Sequence, residues 1–110
     1  RRMLLALKLL LDKMITYWHV SGVIEYVTNG ERIKLYAEAD DALTSKLYYK
    51  QKWENHILQW FIFFCKRSSF IIDAGANVGL FSLAAHKANQ AATIYAFEPN
   101  PTNLKRLKTN

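Results

Sequence analysis

Two acidic residues and two glycines of this sequence have the types and the spacing expected of a functional site. The stretch Phe70–Ala85, FIIDAGANVGLFSLAA, runs from three apolar residues into Asp73 and then through Gly75 and Gly79. Glu98 follows a second short apolar run, 98 − 73 = 25 residues after Asp73. Ligands of open α/β sheets bind beyond the carboxyl ends of the strands. Both carboxylates are therefore predicted to face one ligand.

The glycine loop, Gly75–Gly79, indicates which class of ligand the site could bind. Gly75 lets the backbone turn and leaves no side chain in the path of a ligand, while Gly79 is expected to let the next helix pack near the strand. The start of that helix offers free N–H groups and a positive dipole end to a carboxylate. Glu98 can accept hydrogen bonds from both hydroxyls of a ribose. The site therefore suits a ligand with a ribose and an anionic or zwitterionic tail.

Two ligand classes have that chemistry, dinucleotides and S-adenosylmethionine. A dinucleotide needs its pyrophosphate cradled by Gly-x-Gly-x-x-Gly, and the stretch Gly75–Gly79 lacks that spacing. Asp73 would also repel a pyrophosphate. S-adenosylmethionine has no phosphate and carries an amino group and a sulfonium, which nearby carboxylates favour. The loop favours S-adenosylmethionine, and a dinucleotide-binding oxidoreductase fragment stays as the weaker alternative.

A strand–helix–strand–helix unit over residues 68–110 is predicted to position the loop. Phe70–Ile72 is typical of a parallel strand covered on both faces, and a helix is expected from Leu80 to about Asn89. Thr93–Phe97 forms the second strand, and Asn100, which precedes a proline, is expected to cap a last helix. This βαβα unit predicts an α/β fold with a right-handed crossover.

Residues 1–67 are predicted to form a separate region ahead of that unit, beginning with a helix and a hairpin. The basic, leucine-rich run Arg2–Trp18 predicts an amphipathic docking helix, with a membrane-surface helix as the minor alternative. Asn29-Gly30 favours a two-residue type I′ turn, so that Thr28 faces Glu31. The same register gives the further pairs Tyr26 with Ile33, Ile24 with Leu35, Glu25 with Lys34, and Val27 with Arg32.

An aromatic-rich helix is predicted from about Lys52 to Lys66, after a polar connection that starts at Asp40 and Asp41. Apolar residues at helical spacing indicate a stripe that packs in the core: Trp53, Ile57, Trp60, Phe61 and Phe64. A helix so apolar is expected to be buried on more than one side.

Composition excludes several classes of function. The 110 residues carry a net charge of 15 − 9 = +6, but no basic run interleaved with aromatic residues suggests a nucleic-acid partner. The single cysteine, Cys65, excludes an internal disulfide and makes the cytoplasm the expected compartment. The isolated histidines indicate no metal site. Met3–Leu11 is shorter than the roughly 20 residues of a transmembrane helix, so no membrane span is expected.

The stretches IIDAGANVGLFSLAA and YAFEPNPTNLKRLKTN together resemble the start of an FkbM-type S-adenosylmethionine-dependent methyltransferase. The GAN-x-G loop paired with the F-E-P-x-P strand end carries the resemblance, which covers Ile71–Asn110. KLYYKQKWENHILQWF is similar, less specifically, to the region ahead of the loop in that family. The family implies a Rossmann-like class I fold of seven strands. It also implies O-methyl transfer, often to a sugar or natural-product hydroxyl.

The resemblance also implies a set of cofactor-binding residues: Asp73, Gly75, Ala76, Asn77, Gly79, Glu98, Pro99 and Asn100. Within this set Glu98 would hold the ribose, and Pro99 and Asn100 would flank the adenine. The resemblance also matches Glu54 to an acidic residue of the upstream helix, with solvent exposure or a pair with Lys50 as the alternative. Structural roles remain as alternatives, capping for Asp73 and Glu98 and a left-handed turn for Asn77. No residue is assigned as a catalytic base.

The sequence also predicts that the chain is a piece of a longer enzyme. It does not begin with methionine, and it supplies two of the seven strands that the family implies. The expected function is therefore the N-terminal, cofactor-binding part of a methyltransferase that acts on a small-molecule or glycan hydroxyl. A truncated, non-catalytic remnant or interaction module is the alternative.

Overall fold

The computed structural model describes residues 2–17, 20–38, 41–50 and 55–110, and these form a mixed α/β arrangement. Two separate sheets of two strands each are present within these ranges. The elements in chain order are α1 Arg2–Tyr17, β1 Gly22–Thr28, β2 Glu31–Ala37, α2 Ala42–Lys50, α3 Asn55–Cys65, β3 Phe70–Ala74, α4 Leu80–Ala88, β4 Thr93–Phe97 and α5 Pro101–Thr109. The predicted βαβα order is confirmed as β3–α4–β4–α5.

The hairpin of β1 and β2 has the predicted register. Asn29 and Gly30 have φ values of 49° and 76°, as a type I′ turn requires. Thr28 faces Glu31 across the turn, and the antiparallel pairing continues from there to the end of both strands. Side chains alternate between a buried and an exposed face. The buried face forms one wall of the main core, and its pairs are Tyr26–Ile33 and Ile24–Leu35.

The second sheet pairs β3 with β4 in parallel, as predicted, but only one of its faces is covered. Ile71 packs with Ala85 of α4 and Cys65 of α3. Side chains of the opposite face are exposed, by 59% at Ile72 and 56% at Phe97. The expectation that β3 is covered on both faces is therefore wrong among the described residues. Alternate residues of a strand point to opposite faces, and α4 can cover only one of them.

Among the described residues the aromatic helix is buried on one side only, so the predicted burial on more than one side is wrong. The face of α3 that enters the core carries Leu58, Ile62 and Cys65. From the predicted stripe, Phe61 is partly buried against Phe81 of α4, with ring centroids 5.1 Å apart. The other described members of the stripe are exposed, namely Ile57, Trp60 and Phe64. Trp53 and Glu54 lie outside the described residues.

A helix that the sequence reasoning missed, α2, replaces the polar connection after Asp41. The Asp41 carboxylate accepts the N–H of Leu43 through Oδ1 at 2.9 Å, and the Thr44 hydroxyl donates to the Asp41 carbonyl at 3.1 Å. An aspartate at this place is a common helix cap. Leu47 of α2 is fully buried in the main core. The overlooked signal was an aspartate one residue before a helical pattern.

α1 forms over nearly the predicted range, but its leucines do not dock on the described part of the chain. Every side chain from Met3 to Leu11 is exposed, although α1 lies beside α2. The prediction of a docking helix is therefore not met for these side chains.

The C-terminal helix joins the hairpin to the glycine loop. Asn110 accepts the N–H of Tyr36 through Oδ1 at 2.6 Å, and its Nδ2 donates to the carbonyl of Val78 at 2.7 Å. The buried Arg106 donates through Nε to Glu38 Oε2 at 2.9 Å. These contacts fix the loop against the hairpin and so position the predicted site.

Removing the cap of α5 should destabilise the chain. Asn100 Oδ1 accepts the N–H groups of Thr102 at 2.9 Å and Asn103 at 3.3 Å, so Asn100→Ala leaves both donors without that oxygen. We expect a loss of about 1 kcal/mol in the free energy of unfolding, measured by urea denaturation. Thr102→Ala on the same turn serves as the control and should change it by less than about 0.5 kcal/mol. Equal effects of the two variants would contradict the cap.

The uncovered face of the β3–β4 sheet, which carries Ile72 and Phe97, should make the chain prone to self-association. Exposed apolar strands and patches tend to associate with other chains. Replacing Ile72 and Phe97 together by threonine places a β-branched residue, which strands favour, at both positions and removes exposed apolar area. We expect weaker light scattering at unchanged helix and strand content in circular dichroism. Ile71→Thr, on the buried face, should instead destabilise the chain by about 2 kcal/mol or more. Undiminished scattering of the double variant would contradict this explanation.

Candidate functional site

The glycine loop and the end of β4 come together as the sequence predicts. The N–H groups of Gly75 and Ala76 both donate to the carbonyl of Phe97, at 2.8 and 2.9 Å. Ala74 at the end of β3 lies opposite Phe97 in the parallel pair. The loop therefore starts at the carboxyl edge of the sheet and stays bound to the neighbouring strand.

Glu98 fixes both loops at this edge. Its Oε2 accepts the N–H of Asn77 at 2.7 Å, and its Oε1 accepts the N–H of Asn100 at 2.8 Å. Asn77 can present its N–H because its backbone is left-handed, with a φ of 51°. A carboxylate has about four lone-pair positions, so two amide donors leave acceptor capacity for further donors. The structural role of Glu98 and a ligand role are compatible.

Asp73 is also held from within the chain. The hydroxyl of Ser82, in the first turn of α4, donates to Asp73 Oδ2 at 2.6 Å. This bond ties β3 to α4 and orients the carboxylate. Sequence reasoning did not single out Ser82, and its only signal was a hydroxyl residue in the first turn after the loop.

A cleft of about 230 Å³ opens beside the loop. Four predicted site residues line it together with three apolar side chains from α2 and α4, the full set being Asp73, Gly75, Ala76, Asn77, Leu43, Leu80 and Phe81. Its volume lies below the roughly 300–1,000 Å³ of complete ligand pockets. Glu98, Pro99 and Asn100 are not part of this lining, and Pro99 is exposed. The cleft is therefore smaller than a complete ligand pocket, and Glu98 lies outside its lining.

The two loop glycines have different roles. Gly75 has a φ of 83°, and a Cβ placed on it would meet nothing within 4 Å, so open space lies over the loop there. Gly79 has a φ of 97°, and a Cβ placed on it would lie 2.8 Å from Leu107 Cδ1 of α5. Gly79 therefore permits the close approach of α5, whereas the sequence reasoning had assigned it to the packing of α4 on the strand.

A second, larger cleft of about 560 Å³ lies away from the loop. It runs between the hairpin and α4 and is lined by Glu25, Arg32, Ile33, Lys34, Leu83, His86 and Lys87. Charges of both signs pair there, with Glu25 contacting Arg32 at 3.4 Å and Lys34 at 3.7 Å. None of the predicted site residues lines this cleft.

Cys65 is a structural thiol. Burial in the small core beside β3 raises its pKa, and the negative charge of Asp73 raises the pKa further. The thiol therefore stays protonated near neutral pH and is a poor nucleophile. In the described ranges there is no cluster of potential metal ligands, and no helix there is long and apolar enough to cross a membrane.

Comparisons with known proteins give three relatives that are named as methyltransferases. The chain is 30% identical over 89 residues to 31-O-demethyl-FK506 methyltransferase FkbM of Streptomyces tacrolimicus, covering 81% of this chain and 29% of that protein. It is 35% identical over 81 residues to methyltransferase sdnD of Sordaria araneosa, covering 74% of this chain and 30% of that protein. Methyltransferase 1 of Beauveria bassiana is 43% identical to it over 42 residues, covering 38% of this chain and 17% of that protein.

These matches cover less than a third of each relative's length. No protein-family profile matches the chain, and no solved structure matches it. The chain is therefore similar, along part of the relatives' length, to proteins named as methyltransferases.

Proposed function

We propose that this chain supplies the cofactor-binding part of an S-adenosylmethionine-dependent O-methyltransferase. The observation that carries the proposal is the hydrogen bond from the Asn77 N–H to Glu98 Oε2 at 2.7 Å. It joins the glycine loop to the acidic strand end at the carboxyl edge of two parallel strands, where α/β proteins bind ligands. The similarity to three proteins named as methyltransferases supports the same reaction class.

The residues at this edge fit S-adenosylmethionine. Glu98 has acceptor capacity beyond its two amide donors and would accept the ribose hydroxyls. Asp73 lines the cleft with a carboxylate held by Ser82, and it would attract the positively charged amino group. The open space over Gly75 leaves room for the ligand. Pro99 and Asn100, which follow Glu98, would flank the adenine.

The chain's own contribution to the reaction is binding and orientation. S-adenosylmethionine would supply the methyl group from its sulfonium. Methyl transfer depends mainly on aligning the acceptor oxygen with that methyl group, and the bonds of the loop to Phe97 and Glu98 fix one side of this arrangement. One relative is named for 31-O-demethyl-FK506. From this name we infer that the methyl group is transferred to oxygen here too, with a small-molecule or glycan hydroxyl as the acceptor.

Two other functions compete with this proposal. A dinucleotide-binding fragment would place a pyrophosphate beside Asp73, which lines the cleft, and like charges repel. A non-catalytic remnant or interaction module would keep the loop for its structural bonds alone. The two alternatives differ from the proposal in which ligand, if any, the chain binds.

Calorimetric titration of the chain with S-adenosylhomocysteine and, separately, with NAD⁺ distinguishes the three functions. We expect saturable binding of S-adenosylhomocysteine, at least about tenfold tighter than that of NAD⁺, a difference of about 1.4 kcal/mol. Tighter binding of NAD⁺ would favour the dinucleotide alternative. Binding of neither ligand by a chain that circular dichroism shows to be folded would favour the non-catalytic remnant.

A further inference from the structure

α1 exposes an unusually large apolar surface for a helix with no described partner for it. The large apolar side chains between Met3 and Leu11 have exposed fractions from 50% to 84%. Met14, one turn further along, is also exposed. Single exposed leucines are common on proteins, but a continuous apolar patch usually marks an interaction surface.

The distribution of these side chains argues against a coiled coil with a second copy of the chain. Leu4, Leu7, Leu11 and Met14 follow the three- and four-residue steps of a coiled-coil seam. Exposed leucines at positions 5, 9 and 10 widen the apolar surface well beyond that narrow seam.

Charge favours an anionic partner. The first 17 residues contain Arg1, Arg2, Lys8 and Lys13 against the single acid Asp12, so they carry 4 − 1 = +3, half of the chain's net charge of +6. Lys8 lies exposed among the leucines. Leucines combined with basic residues on one helix are typical of helices that bind anionic lipid surfaces.

Length determines how such a helix would meet a bilayer. The 16 residues of α1 extend about 24 Å at 1.5 Å per residue, which is less than the roughly 30 Å of the hydrocarbon core. The described part of α1 is therefore too short to cross a bilayer, whereas it can lie along the interface. Its leucines would enter the acyl boundary, while its basic side chains would reach the headgroups.

We propose that α1 binds the surface of an anionic lipid bilayer and lies in the plane of the interface. The proposal rests on the exposed leucines and the basic charge of one helix. It does not depend on the proposed methyltransferase function.

Flotation of the chain with lipid vesicles tests this proposal, because protein aggregates sink while bound chain rises with the vesicles. Mixed phosphatidylcholine and phosphatidylglycerol vesicles should bind the chain at least about tenfold more tightly than pure phosphatidylcholine vesicles. High salt should reduce the difference by screening the charges. No flotation with mixed vesicles, or equal flotation with both kinds, would overturn the proposal.

Three variants identify the surface responsible. Leu7→Ser combined with Leu11→Ser should lower vesicle affinity at least about tenfold, and Lys8→Gln should lower it about fivefold. Val23→Ser removes a side chain on β1 that is similarly exposed, at 70%, and should leave affinity unchanged. Unaltered binding of both α1 variants would overturn the proposal. The proposal would also be overturned if the unchanged chain formed a dimer, the leucine variant did not, and neither of them floated with vesicles. In that case α1 would be an interface between copies of the chain.

Discussion

Replacing Glu98 by alanine is expected to lower the affinity of the chain for S-adenosylhomocysteine by about 2–4 kcal/mol, or about 30- to 1,000-fold. Hydrogen bonds to a charged group contribute about 1.5–3 kcal/mol each and are not additive, and the ribose would offer two such donors. Calorimetric titration of the variant and the unchanged chain measures the difference. Unchanged affinity would remove Glu98 from the site.

Because Glu98 also accepts the N–H groups of Asn77 and Asn100, the alanine variant disturbs the loops as well as the ribose contact. Titration with the 2′-deoxy analogue of S-adenosylhomocysteine separates the two effects. The unchanged chain should bind the analogue more weakly than the parent ligand, and Glu98→Ala should bind both equally. If the variant lost the same affinity for both ligands, Glu98 would act only through the loops. Glu31→Ala, which removes an exposed carboxylate from β2, should leave both affinities unchanged.

Gly75→Val should lower the affinity for S-adenosylhomocysteine by about 2–3 kcal/mol, or about 30- to 150-fold. The space over Gly75 is open within 4 Å of a built Cβ, so a branched side chain fits the chain but occupies the ligand's volume. The φ of 83° adds a backbone strain of about 1–2 kcal/mol for valine. We therefore expect a moderate loss of stability in addition to the loss of binding.

Gly30→Val provides a matched control for that strain. Gly30 has a φ of 76° and equally open space around a built Cβ, but it lies in the hairpin turn and does not line the cleft. Both variants should lose similar stability in urea denaturation, and only Gly75→Val should lose affinity. Normal binding by Gly75→Val would show that the loop does not approach the ligand, and equal loss of affinity in both variants would assign the effect to unfolding.

Features set by local backbone chemistry were predictable from the sequence. Asn29-Gly30 determines the turn and therefore the register of the whole hairpin, and Asn100 followed by a proline determines where α5 begins. The short apolar runs ending near Asp73 and Glu98 were predicted to bring both residues to one sheet edge. The pairing of Asp73 with Ala96 and the hydrogen bond from Asn77 to Glu98 confirm that both residues lie at that edge.

Features set by tertiary packing were not predictable in the same way. α3 is apolar nearly all round, so helical spacing could not decide between the side with Leu58 and Ile62 and the side with Trp60. Glu98 accepts the Asn77 N–H because Asn77 adopts a left-handed conformation that turns its amide towards β4. The sequence allowed that turn but could not show where its N–H would point.

Backbone amide shifts in nuclear magnetic resonance spectra, recorded while the chain is titrated with S-adenosylhomocysteine, test cofactor binding at the loop most directly. Gly75, Ala76 and Asn77 beside the cleft, and Asn100 bound to Glu98, should shift together and saturate with one binding constant. Shifts confined to the larger cleft around Arg32 and His86, or no saturable shifts anywhere, would contradict a cofactor site at the glycine loop.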